Sequence, residues 1–128
     1  MTAPLGNILI VDDDPLMRSM LMKVLAVEGF HVVGAEDGLE ALHVLRAVRH
    51  RASGTPCLVL LDLKMPRLSG DEFRRAQLAD PTLAGVPVIV MSGAPDLAQR
   101  ADVLGAVAAI AKPIERDALL AIVRQHCA

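Results

Sequence analysis

Four short apolar runs punctuate the chain: "ILIV" at 8–11, "CLVLL" at 57–61, "VIVM" at 88–91 and "VAAIA" at 107–111. Each is too short for a helix and apolar at successive positions, the pattern of a parallel strand covered on both faces. A fifth segment, "FHVVGA" at 30–35, alternates more and carries His31, which predicts an edge strand.

Between these runs the apolar spacing becomes helical. Residues 15–28 place Met17, Met20, Leu21, Val24 and Val27 on one stripe. Asp14 precedes it as N-cap, Pro15 takes the first helical position, and Gly29 supplies a stop. Residues 38–50 turn Ala41, Leu42, Leu45 and Val48 inward behind Asp37-x-x-Glu40, which resembles a capping box. Ser69-x-x-Glu72 is a full match to that motif and opens a short helix through about Leu78. A weaker amphipathic stretch at 95–104 and a final one at 115–126, with Leu119, Ile122 and Val123 inward, complete the series. Strand then helix, repeated to the end, predicts a single doubly wound α/β domain over residues 1–128, built on a five-stranded parallel sheet.

Composition narrows this. Of the 128 residues, 53% are hydrophobic, but Phe30 and Phe73 are the only aromatics, so aliphatic side chains and methionine must fill the core. A net charge of −2 without Trp or Tyr excludes the basic, stacking footprint of a nucleic-acid binder. Cys57 sits in an apolar run and Cys127 is penultimate, which suggests a reduced pair in a cytosolic protein rather than a disulfide framework. "MTAPLGN" lacks the basic and apolar start of a signal peptide, and no apolar run approaches the ~18 residues of a membrane span.

In such a sheet ligands bind beyond the carboxyl ends of the strands. Asp12 and Asp13 follow the first run, Asp62 the third, Ser92 the fourth and Lys112 the fifth. Carboxylates clustered without His or Cys favour a hard divalent ion, Mg²⁺ best, since it takes few carboxylates and bridges to phosphate. Such an ion offsets their repulsion, about 4 kcal/mol for two charges about 4 Å apart at a dielectric of about 20. Ser92 can donate to a phosphoryl oxygen and Lys112 supplies it a positive charge. A carboxylate between metal and lysine can then attack phosphorus, giving an aspartyl-phosphate. Asp14 is assigned to helix capping, and His31, His43, His50 and His126 lack ligand spacing and are expected at the surface.

The stretches "ILIVDDDP", "LVLLDLKMPRLSG", "VIVMSG" and "AKP", together with "GFHVVGAEDGLEAL", stand in the order and at the spacing of a two-component response-regulator receiver domain. The chain resembles that family, in particular its chemotaxis-regulator-like single-domain members, over essentially its whole length. The resemblance implies a flavodoxin-like (βα)5 fold with strand order 2-1-3-4-5. It implies that Asp62 is the phosphoacceptor, attacking a phosphohistidine on a sensor histidine kinase or histidine phosphotransferase. Asp13, Asp62 and the backbone carbonyl of Lys64 would ligate Mg²⁺, with Asp12 acting through a metal-bound water. Lys112 would pair with the acyl phosphate ahead of Pro113 in a cis peptide, and Ser92 would move toward the phosphoryl group. A downstream protein is expected on the face of the fourth helix, fifth strand and fifth helix, where Ala106, Ala108 and Ala109 suggest close packing, with no direct nucleic-acid or membrane contact.

Some positions depart from the family. Ala109 stands where an aromatic residue usually precedes the lysine, so activation is expected through the loop after Ser92 or through the fourth helix. Lys64 can fold over the phosphate and Ala94 offers nothing to orient water, which predicts slow autodephosphorylation. The Met1 start and absence of a trailing linker suggest a stand-alone regulator, the alternative being an excised receiver of a larger regulator or hybrid kinase. A haloacid-dehalogenase-like phosphatase competes through Asp12-x-Asp14, Ser92 and Lys112, but Leu16 replaces the expected Thr or Val, and Glu115 and Asp117 fall on the last helix. A phosphorylation-independent interaction module is the remaining reading, against which every acidic-pocket residue is present.

Overall fold

The computed structural model describes residues 6–48, 56–65 and 67–127. Strands and helices alternate: β1 (Asn7–Val11), α1 (Pro15–Val27), β2 (His31–Ala35), α2 (Gly38–Val48), β3 (Leu58–Asp62), α3 (Gly70–Ala79), β4 (Val88–Ser92), α4 (Leu97–Leu104), β5 (Ala108–Ala111) and α5 (Arg116–Cys127). All pairings are parallel and the order is β2-β1-β3-β4-β5, as expected. The sheet reverses direction of growth between β1 and β3, which creates a crevice at their carboxyl ends.

The two-residue period of the strands divides the core. Leu9, Val11, Val59, Leu61, Val88 and Val90 face α2, α3 and α4, meeting Leu42, Leu45, Phe73 and Ala101. Ile8, Ile10, Leu58, Leu60, Ile89 and Met91 face α1 and α5, meeting Leu21, Leu25, Leu119 and Val123. This two-sided burial explains why β1, β3 and β4 read as unbroken apolar runs. His31 is exposed on edge strand β2, His43 is also exposed and His126 is half-buried, while His50 lies outside the described residues, as does the predicted end of the second helix.

Two details of the helices differ from expectation. Leu21 and Leu25 are the buried centre of α1, whereas Met20 is 45% and Val27 80% exposed. The stripe is rotated because α1 is apolar over more than one face, so spacing alone leaves its inward side ambiguous. Ala106, Ala108 and Ala109 pack against the two core layers, leaving Val103 and Val107 as the exposed apolar residues of that edge.

The cysteines are a further correction. Cys57, at the entry to β3, is disulfide-bonded to Cys127 in the last turn of α5, with Cα atoms 5.6 Å apart. Helices in βα units run antiparallel to their strands, so the end of α5 returns to where β3 begins. The link joins residues 70 apart in sequence, and closing so long a loop restricts the unfolded chain by about 4 kcal/mol. A thiol reductant is therefore expected to lower the denaturant midpoint of the oxidised protein, and Cys127→Ala to be insensitive to reductant in the same titration.

Candidate functional site

The expected residues converge beyond the carboxyl ends of β1, β3, β4 and β5. Asp12 follows β1 and is fully buried, while Asp62 closes β3 at 4% exposure and Asp13 is exposed. Carboxylate oxygens from Asp12, Asp13 and Asp62 lie within 4.8 Å of one another. Lys112 Nζ reaches between two of them, 3.3 Å from Asp12 Oδ2 and 3.4 Å from Asp62 Oδ1. An all-carboxylate donor set of this size, with one member open to solvent, fits Mg²⁺ and not a thiolate- or imidazole-seeking metal.

Local structure fixes each group. Asp12 Oδ1 accepts the Asp14 N–H at 2.9 Å, and its carbonyl accepts from Arg18 Nη1 at 2.7 Å. Asp14 turns away to cap α1, accepting the N–H groups of Leu16 and Met17 at 3.0 and 3.4 Å. Its side chain is thereby committed to the helix. Asp62 Oδ1 accepts the Lys64 N–H at 3.3 Å. Ser92 ends β4, buried, with Oγ accepting from Ala94 N–H at 3.0 Å, and its carbonyl accepts the Lys112 N–H at 3.0 Å. The backbone ladder thus joins Ser92 to Lys112. The Lys112–Pro113 peptide is cis.

The electrostatics are strained in a useful direction. Burial pushes the Asp62 carboxyl up, Lys112 pulls it down and Asp12 pushes it up again, with a net rise to about 6. Burial disfavours the Lys112 ammonium, but Asp62 and Asp12 outweigh it and raise its pKa. One lysine thus serves two buried acids, a balance that an added cation would complete.

The sequence reading missed three supporting groups. Arg18 holds the Asp12 carbonyl from the first turns of α1. Arg67, in the β3–α3 loop, pairs with buried Asp37 and with Glu36 at 2.9 Å. Buried Arg74 of α3 donates to the Leu104 and Gly105 carbonyls at the end of α4 and to Gln77 Oε1. Arg67 and Arg74 bridge segments about 30 residues apart, where local pattern carries no signal, and Arg18 reaches back across the β1–α1 turn.

The response regulator receiver domain family matches residues 8–124. The DNA-binding response regulator MtrA of Mycolicibacterium smegmatis is 38% identical over 123 residues, spanning 92% of this chain but only 49% of MtrA. Sporulation initiation phosphotransferase F of Bacillus subtilis is 35% identical, spanning 94% of this chain and 92% of that protein. Among solved structures, a response regulator receiver protein from Pseudomonas putida superposes with TM-score 0.79 at 31% identity, covering 98% of this chain and 99% of that one. Chemotaxis response regulator CheY4 of Vibrio cholerae gives 0.82 at 26% identity, covering 97% and 98%. Receiver domains bind Mg²⁺ in an acidic pocket and interact with histidine kinases or phosphotransferases. With its fold, strand order and sequence in agreement, this chain belongs to the response regulator receiver domain family of two-component systems.

Proposed function

We propose that this domain accepts a phosphoryl group onto Asp62 from a phosphohistidine of a sensor histidine kinase or histidine phosphotransferase. The observation that carries this reading is the placement of the Asp62 carboxyl at the β1/β3 crevice, between the Lys112 ammonium and the exposed Asp13. In the transfer, a carboxylate oxygen of Asp62 forms the new P–O bond as the P–N bond of the phosphohistidine breaks, and the imidazole nitrogen keeps the electron pair and takes up a proton. Lys112 compensates negative charge on the oxygens of the transferring phosphoryl group, and Ser92 turns its hydroxyl to donate to one of them. Asp13, Asp62 and the Lys64 carbonyl would hold Mg²⁺, with Asp12 behind a metal-bound water. When bound, that ion neutralises phosphoryl charge and favours the ionised form of Asp62.

The same reading takes the chain as a receiver domain acting in the cytoplasm. No helix among the described residues is long and apolar enough to cross a membrane. The chain spans 92% of phosphotransferase F and about half of MtrA. The downstream partner is assigned to the face of α4, β5 and α5, where Val103 is 84% and Val107 46% exposed.

The test is incubation with Mg²⁺ and acetyl phosphate, followed by intact-mass analysis. A base-labile, hydroxylamine-sensitive phosphoryl adduct, absent in Asp62→Asn, is expected, and after donor removal it should decay slowly because Ala94 presents only a methyl group to the water. Asp12-dependent hydrolysis of phosphomonoesters would instead indicate a phosphatase, and neither outcome would indicate an interaction module without chemistry.

A further inference from the structure

Lys64 lies two residues beyond Asp62, so the backbone leaving β3 decides where the Lys64 carbonyl lies. Two close approaches tether it. Gly38 N–H donates to the Leu68 carbonyl at 3.1 Å, and a Cβ on Gly38 would lie 2.6 Å from that oxygen. Gly70 N–H donates to the Leu63 carbonyl at 3.3 Å, and a Cβ there would lie 2.6 Å from the Asp62 carbonyl. Between these tethers Arg67 has φ +63°, a left-handed backbone that L side chains hold only when surrounding contacts impose it.

The side chain of Arg67 is held by an ion pair. Asp37 is 1% exposed and works on two sides: Oδ1 caps α2 by accepting the Glu40 N–H at 2.9 Å, and Oδ2 accepts from Arg67 Nη2. The same guanidinium nitrogen donates to Glu36 Oε1 at 2.9 Å. A buried carboxylate at the head of α2 therefore grips the loop that leaves the nucleophile. Although burial works against ionisation of Asp37, the Glu40 N–H and Arg67 outweigh it and hold the carboxyl below its ordinary range, so the pair persists at neutral pH.

We propose that Asp37 and Arg67 are positioning residues for the metal site, their ion pair fixing the Lys64 carbonyl and thereby Mg²⁺ affinity without touching the ion. The proposal rests on the Mg²⁺ reading given above. Groups that orient metal ligands from outside the ligand set commonly change affinity by about tenfold or more.

Calorimetric titration with Mg²⁺ tests it, alongside thermal melting of the metal-free protein. Arg67→Gly keeps a left-handed backbone available while removing the guanidinium, and Asp37→Asn keeps an oxygen to cap α2 while removing the charge. Each is expected to weaken Mg²⁺ binding by about tenfold. The double variant should lose no more than either single one, because both break one interaction. Arg67→Lys should recover part of the loss, and metal-free Arg67→Gly, although it melts lower because buried Asp37 loses its partner, should still unfold in one cooperative transition above the titration temperature. Unchanged affinity in both single variants, with binding still abolished by Asp13→Asn, would overturn the proposal and leave the metal site intact. Absence of Asp13-dependent binding in the parent protein would overturn the metal reading and this proposal with it.

Discussion

Replacing Lys112 with alanine is expected to slow phosphorylation of Asp62 by acetyl phosphate about 10²–10³-fold, the scale seen when one electrostatic donor to a developing charge is removed. Two effects contribute, and magnitudes separate them. The ammonium stands 3.4 Å from Asp62 and 3.3 Å from Asp12. Without it the Asp62 carboxyl, already pushed up to about 6, rises further and is less ionised at neutral pH. A further rise of about one to two pH units reduces the reactive fraction at pH 7 by about tenfold at most. That part returns when the reaction is run near pH 9, whereas the loss of charge compensation on the phosphoryl group does not. Initial rates at both pH values, for parent protein and variant at fixed Mg²⁺, should leave a deficit of at least about tenfold at high pH. Full recovery there would mean that Lys112 acts only by keeping Asp62 ionised.

The residues of this site were readable because strand ends are readable. Runs apolar at every position locate β1, β3, β4 and β5, and Asp12, Asp62, Ser92 and Lys112 fall at or just beyond their ends. Asp14 was separable from its neighbours because Pro15 marks a helix start, and its carboxylate does cap Leu16 and Met17. What escaped was orientation and long-range contact. The inward side of α1 is set by which residues meet β2 and α5, so Leu25 rather than Val27 is buried. The Cys57–Cys127 link, the Asp37–Arg67 pair and the Arg74 bonds to the end of α4 join positions distant in the chain. Only folding brings them together. Ala109 illustrates both sides: its identity as a departure from the family was visible in sequence, while its packing against the core beside α4 required the structure.

The acidic cluster makes stability a reporter of metal binding. Asp62 has a pKa of about 6 in the folded protein against 3.8 for the ordinary carboxyl. Between these values the folded state binds more protons than the unfolded one, so without divalent ion stability falls as pH rises from about 4 to about 6. Two pH units correspond to about 3 kcal/mol, shared with Lys112 and Asp12 because the groups interact. Asp37 acts in the opposite sense and in a lower window. Its depressed pKa contributes stability that is present above the ordinary carboxyl value and is lost as pH falls through the folded one. The Asp62 contribution is therefore best read as the difference between the parent protein and Asp62→Asn in chelator, by denaturant titration from pH 4.5 to 7. The variant should gain on the parent across this range and be the more stable of the two at pH 7, since an amide in that position removes a buried charge. Mg²⁺ offsets most of that advantage. At 100 times its dissociation constant a bound ion adds about 2.7 kcal/mol, available only once the carboxylates are ionised. The parent protein should thus be stabilised by Mg²⁺ at pH 7, little at pH 4.5, and Asp62→Asn weakly at either. A pH-independent difference between the two proteins in chelator would place the Asp62 carboxyl outside the electrostatic conflict on which the metal site is built.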